Sequence, residues 1–311
     1  MHTAKALLSV WVTAVVMSSL PAPGQSSHNA TCNPRSVPSG ILLPVSDPLN
    51  KGSWTVDASL SDEFNGTQLD ASRWRTNIAG WPGRPPALFV DHNVTITSGA
   101  LQITMQKEAV DERFAKLGYH DYTTGAVQST KSVLYGYFEV RARAMKSAGS
   151  SGVWFSAKDQ YNWNEIDVAE MGGRSPADPR RVFMSVHVFA RRGVKATRND
   201  TTYAMVGSNV AEGFHVYGLH WSPTSVDFYI DGRLHRHLKN TSWHTPAAMI
   251  LDAETQVDWW GMPLDSDLPA VFTIDYVRAW KQAAQTTAPA GVSQCGSQAD
   301  NRHRRLPPTA Q

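Results

Sequence analysis

From about residue 50 to residue 282 the sequence is strand-like almost throughout. Residues 135–144 (Tyr-Gly-Tyr-Phe-Glu-Val-Arg-Ala-Arg-Ala) alternate long polar or aromatic side chains with smaller apolar ones, a period of two. Residues 182–189, 226–230 and 271–277 are rich in β-branched and aromatic types, which suit a pleated, half-buried surface. Asp231-Gly232 separates 226–230 from 234–238, and Asp-Gly is the dipeptide a two-residue hairpin turn favours. Gly, Pro, Asn and Asp punctuate these segments, and neither a G-x-G-x-x-G nor a P-loop is present. The pattern predicts an all-β sandwich of two antiparallel sheets rather than alternating strands and helices. One short helix is expected, over residues 109–117.

The ends of the chain read differently. Lys5 precedes an uncharged apolar run, residues 6–20, and small residues follow in Pro21-Ala22-Pro23-Gly24, the make-up of a cleaved export signal. A run of about 15 residues is short for the roughly 20 that span a bilayer. The expected organisation is a signal peptide over 1–24, an extension over 25–50, a catalytic domain over 51–282 and a tail over 283–311. Cys32 and Cys295 are the two cysteines, and export makes them candidates for one disulfide. The five Asn-x-Ser/Thr sequons, at Asn29, Asn65, Asn93, Asn199 and Asn240, matter only in a glycosylating source. A net charge of +2 with scattered Arg pairs argues against nucleic acid, and no membrane association is expected after cleavage. Eleven Trp, nine Tyr and ten Phe exceed what a core alone needs and suit stacking on the apolar faces of sugars.

The chemistry is concentrated in Trp163-Asn-Glu-Ile-Asp-Val-Ala-Glu-Met-Gly-Gly173. On a strand, Glu165 and Asp167 point to one face, whereas Glu170 would point to the other. One extra residue in a bulge near Val168-Ala169 returns Glu170 to the same side. A helix scatters the acids, since positions five apart sit about 140° from each other. Three like charges on one face are a poor choice for stability alone. They suit hydrolysis of an acetal, which needs one ionised carboxylate to attack carbon and one protonated carboxyl about 5 Å away to protonate the leaving oxygen. The middle acid can share a proton and keep the other two apart in pKa.

Glu165-Ile-Asp-Val-Ala-Glu170 resembles the E-x-D-x-x-E signature of glycoside hydrolase family 16 in its bulged form. The resemblance extends over roughly residues 54–281, including 135–141, 214–221, 228–232 and 274–278. It implies a β-jelly roll with a concave cleft, and hydrolysis with retention of configuration. Glu165 would be the nucleophile, Asp167 its assistant and Glu170 the general acid/base. Residues 80–89 followed by 91–96, and 251–255 with 259–264, resemble segments of the agarase and porphyranase branch. The implied substrate is a red-algal galactan, agar or porphyran, cut at β-1,4 bonds to D-galactose. The loop over 80–89 would lie on the non-reducing side of the cleft, and Glu254 would face the acceptor side.

Trp81, Trp154, Trp163 and Trp260 are then candidate stacking platforms, while Trp74, Trp221 and Trp280 are assigned to the core. Core packing competes for Trp154 and Trp163. Arg84 and Lys158 are candidate partners for a substrate sulfate, and His187 for substrate hydroxyls. No organic cofactor is required. A stabilising Ca²⁺, which family members often hold on the convex side, would use Asp275 with Glu63 and the Gly99 carbonyl. His235 and His237 share a strand face at a metal-ligand spacing, but without a third ligand a solvated strand is the preferred reading. The chain is expected to act as a monomer on polysaccharide. Rival readings are a β-1,3-glucanase, a κ-carrageenase, a transglycosylase, and a lectin that binds sugar without cutting it.

Overall fold

A computed structural model describes residues 42–76, 78, 80–158, 163–189 and 198–283. The expected leader, residues 25–41 of the extension, the tail beyond 283, Asn29, Cys32 and Cys295 lie outside the described residues.

The first eight strands are β1 (Trp54–Val56), β2 (Trp74–Arg75), β3 (Ala87–Phe89), β4 (Val94–Thr97), β5 (Ala100–Lys107), β6 (Tyr122–Thr124), β7 (Ala126–Ser129) and β8 (Gly136–Arg143). They are followed by β9 (Ser150–Lys158), β10 (Trp163–Met171), β11 (Arg181–Val188), β12 (Arg198–Met205) and β13 (His215–Trp221). The last four are β14 (Ser225–Ile230), β15 (Arg233–Lys239), β16 (Ala248–Glu254) and β17 (Ala270–Gln282). The anticipated helix is a single turn, α1 (Glu112–Ala115), whose first amides are capped by the Asp111 carboxylate. A second turn, α2 (Val257–Trp260), was not anticipated.

The strands build two sheets. One runs β15-β14-β13-β8-β17-β5-β6-β3, with β1 added on β17 and β4 on β5. The other runs β12-β11-β10-β9-β16-β7-β2. Pairing is antiparallel except for the parallel pair β3 with β6, so the jelly roll is mixed at one edge. Asp231 and Gly232 take φ of 50° and 76°, the two left-handed positions that let a two-residue turn join β14 to β15.

The facing sides of the sheets bury one apolar core, and alternation decides which residues enter it. Phe138 and Val140 of β8 meet Val153 and Phe155 of β9, with Phe138 and Phe155 ring centres 4.9 Å apart. Trp74 and Trp221 lie in this core and Trp280 in a second, smaller cluster with Trp54 and Tyr137; each is 1% exposed, which bears out their assignment to packing. Two of the sequons are packed as well. Asn93 donates to Thr123 Oγ1, and Asn240 donates to the carbonyls of Ser222 and Trp243, so neither side chain is presented for modification. No helix among the described residues is long and apolar enough to cross a membrane.

Candidate active site

Strand β10 delivers the three acids. Asp167 pairs with Trp154 of β9, but the next β9 residue, Val153, pairs with Ala169, so β10 carries one extra residue there. The same offset appears against β11, where Asp167 faces Ser185 and Glu170 faces Phe183. Val168 and Ala169 both sink into the core, and Glu165, Asp167 and Glu170 emerge together on the outward face of the seven-stranded sheet. The bulge required by the sequence is therefore present at the expected residues.

The three acids line a cleft of about 650 Å³. Across β9 and β16 the same face carries Ser150, Gly152, Trp154, Ser156, Ile250, Asp252 and Glu254. Burial raises the carboxyls of Glu165, Asp167 and Glu170 well above the usual range, and neighbouring carboxylates push the same way. For Glu165 the main neighbour is Asp167; for Asp167 they are Asp252 and Glu254; for Glu170 it is Asp167 again. Crowding of acids in this way favours the protonated form, the form a general acid requires. Ser185 Oγ donates to Glu170 Oε2 at 3.4 Å and in turn accepts from Thr201 Oγ1 at 2.9 Å.

The remaining expected residues divide. Trp81 and Trp154 line the cleft edge to face, centroids 5.6 Å apart. Trp163 lines it too, packed on Phe189 at 4.4 Å, with Lys158 Nζ 4.4 Å from the Trp163 ring centre. Trp154 Nε1 donates to Asp252 Oδ1 at 3.0 Å. Trp260 is no platform. It is 3% exposed, stacks on Trp259 and lies where a side chain on Gly172 would collide with it, so helix α2 turns it inward. His187 also departs from expectation. Its Nε2 lies 3.0 Å from Asp167 Oδ2 and its ring stacks on Phe189, so it serves the middle acid rather than the open cleft. Burial lowers its pKa, which favours the neutral ring.

Arg84 reaches Glu254 with Nε at 3.0 Å and Nη2 at 3.2 Å. A residue expected on the non-reducing side thus binds one expected on the acceptor side, so the two share one part of the cleft wall. The residues proposed for Ca²⁺ are paired with arginines instead: Asp275 with Arg141 at 2.6 Å, and Glu63 with Arg278 at 2.8 and 2.9 Å. Gly99 is a turn residue between β4 and β5, with φ of 72°. Among the described residues, the set whose ligand atoms all come within 4.8 Å of one another is Glu165, Asp167 and His187. His237 meets Asp227 of the neighbouring strand at 2.5 Å and is otherwise exposed.

Asp252 was missed. Its position two residues before Glu254 places it on the same strand face, by the rule that joined Glu165 to Asp167, and that spacing was the available signal. Arg75 and Gln128, hydrogen-bonded to each other in the cleft wall, were missed as well.

The family model described as "Beta-porphyranase A-D, GH16 domain" matches residues 54–282. Beta-porphyranase E of Zobellia galactanivorans is 30% identical over 237 residues, 69% of this chain and 82% of that protein. The crystal structure of porphyranase B from the same organism superposes with a TM-score of 0.65 at 27% identity, over 73% of this chain and 92% of that one. Glucan endo-1,3-beta-glucosidase A1 of Niallia circulans is 26% identical over 256 residues, 71% of this chain and 37% of that protein.

Proposed function

Since the chain belongs to glycoside hydrolase family 16, and so to enzymes that hydrolyse O-glycosyl bonds, we propose that it is an exported, retaining endo-hydrolase of red-algal galactan, cutting β-1,4 bonds to D-galactose in porphyran or agar. The observation that carries the reading is the acid group on β10, gathered by one bulge inside a domain of the β-porphyranase type.

In this mechanism the Glu165 carboxylate attacks the anomeric carbon while Glu170 gives its proton to the glycosidic oxygen, and the reducing-side sugar departs. Glu170, now ionised, takes a proton from water; that water attacks the same carbon and releases Glu165. Asp167 shares charge with Glu165, and His187 braces Asp167 from β11. No organic cofactor enters any step. Trp81, Trp154 and Trp163 offer ring faces for sugars along the cleft. Arg84 gives Nε and Nη2 to Glu254, which leaves Nη1 for a substrate sulfate, and Lys158 is a second cation on the wall.

The test is reducing-end release from porphyran, agarose, κ-carrageenan and laminarin, with Glu165→Gln and Glu170→Gln beside the parent. Galactan turnover that falls by about 10²–10⁴-fold in Glu170→Gln, and at least as far in Glu165→Gln, is expected. The similarity to a β-1,3-glucosidase keeps laminarin as the second reading, and turnover of laminarin alone would establish it in place of galactan. Sugar binding without product from any of the four would leave a lectin.

A further inference from the structure

Asp252 is a buried carboxylate in the cleft that the double displacement does not use. Its position follows from two rungs of the sheet. Glu170 of β10 is paired with Gly152 of β9, and Gly152 is paired with Asp252 of β16. Side chains of paired residues share a face, so Glu170 and Asp252 stand in one row with no side chain between them. The gap is needed: a Cβ on Gly152 would lie 2.3 Å from Asp252 Oδ1. The Asp252 side chain thus leans over Gly152, toward the strand that carries Glu170. Its other in-register neighbour, on β7, is the small Ala126. Oδ1 accepts from Trp154 Nε1 at 3.0 Å, while Oδ2 is buried with no hydrogen-bond partner.

A carboxylate oxygen left bare in an enclosed site is costly unless the arrangement uses it. Several charged groups share the space. Glu165 and Asp167 belong to the same strand as Glu170; His187 approaches from β11; Glu254 follows on β16 and is met by Arg84. Arg84 is bound to Glu254 through two nitrogens, so the cation of this part of the cleft wall is committed elsewhere.

We propose that Asp252 is a positioning residue for Glu170: leaning across the bare strip at Gly152, it presents a carboxylate to the acid/base group and keeps the proton on Glu170 until the glycosidic oxygen takes it. This deepens the glycosidase reading and rests on it. When Glu170 releases its proton to the leaving oxygen, repulsion from Asp252 favours recovery of a proton from the incoming water, so one device serves both steps. Burial raises both carboxyls, with Glu254 the next cause for Asp252 and Asp167 for Glu170, so the cleft acids titrate as one group. The alkaline limb of the rate profile then reports an apparent value of that group, to which Asp252 contributes its charge.

The rival role for Asp252 is to hold Trp154, and Asp252→Asn separates the two. The amide oxygen still accepts from Trp154 Nε1, but the charge is gone. In the full chain acting on the polysaccharide it turns over, Asp252→Asn should move the alkaline limb of kcat/KM down by about one pH unit and lower kcat near the optimum, with KM and the melting temperature little changed. Gly152→Ala, which displaces Asp252, should move the limb the same way. Trp154→Phe removes the indole donor but keeps the charge, and should raise KM with the limb unmoved. Superimposable limbs for Asp252→Asn and parent would overturn the proposal, as would a uniform loss across pH, which would assign Asp252 to holding Trp154. Both outcomes leave the glycosidase reading intact. That reading fails separately, and takes this proposal with it, if the parent chain releases no reducing ends.

Discussion

Glu254 is 6% exposed and accepts from Arg84 at two points and from Gln256 Nε2 at 2.7 Å. Removing Arg84 leaves that carboxylate enclosed among Asp252 and the β10 acids, and an enclosed charge without its partner costs more than the pair contributed. Because Arg84 is itself half-exposed, Arg84→Ala should destabilise the chain by about 1–2 kcal/mol in denaturant melts. Adding Glu254→Gln should restore most of the loss, and a double variant as unstable as the single one would show that the loop, not the charge, carries the effect. The acids of β10 were legible because alternation alone assigns strand faces, and the resemblance gave each a role. Asp252 obeys the same rule, two residues before Glu254 on β16, but its role depends on its pairing through Gly152 with Glu170, which lies far away in sequence. Trp260 and His187 were not legible at their own positions. Whether Trp260 faces the cleft depends on a four-residue helix and on space left by Gly172, which is remote in sequence. Whether His187 meets sugar or Asp167 depends on the pairing of β11 with β10.

At the level of elements, strand content was readable from period-two segments, and the β14–β15 hairpin from its Asp-Gly turn. Sheet order was not, since it depends on pairings such as β8 with β17 and β16 with β9, which join residues far apart in sequence. The β10 bulge is a middle case. Nothing in Val168-Ala169 marks a bulge locally; it was inferred because three acids had to share a face. Deleting Val168 would leave Glu165-Ile-Asp-Ala-Glu170, a regular alternation in which the acids still share one face and the downstream pairing is kept. Such a variant should fold, at a cost of about 2 kcal/mol for the buried side chain. It should also keep measurable hydrolysis, reduced by about 10²-fold or less because straightening the bulge changes how Glu170 is set against Glu165. Inserting one alanine after Val168 also gives a regular alternation, with six residues from Glu165 to Glu170; it keeps Glu170 on the same face but about two residues further from Glu165 than in the deletion, and should cost more activity. Reducing-end assays on both variants, with circular dichroism to verify folding, decide the point: a folded but inert deletion variant would mean that the bulge, not the shared face, sets the acid spacing.

For the molecule as a whole, the raised carboxyls set how stability varies with pH. The cleft acids are one group, and a second acid lies on the opposite sheet. Residues 42–50, expected to be an extension, contribute to this packing: Trp280 Nε1 donates to the Leu42 carbonyl at 2.9 Å, and Val45 N donates to Glu139 Oε1 at 2.6 Å. Glu139 is 1% exposed, its Oε2 has no partner, and burial pushes its carboxyl up to about 7. In the unfolded chain a glutamate titrates near about 4.3. The folded protein therefore binds the extra proton between those values, and the stability Glu139 contributes is full below about pH 4.3 and lost as pH rises through 7. Carboxyls held low by arginine, such as Asp178 at about 2, act in the opposite sense and lose their contribution only in strong acid. Stability should accordingly peak in mildly acidic solution and decline toward neutrality. Glu139→Gln keeps an acceptor for Val45 but cannot titrate, so it should shrink the decline between pH 5 and pH 8 by about 2–3 kcal/mol, with the cleft acids responsible for what remains. Thermal or urea melts of parent and variant at the two pH values measure this directly. Parallel curves would mean that the Glu139 charge is already met on folding, and would move the whole pH dependence to the cleft.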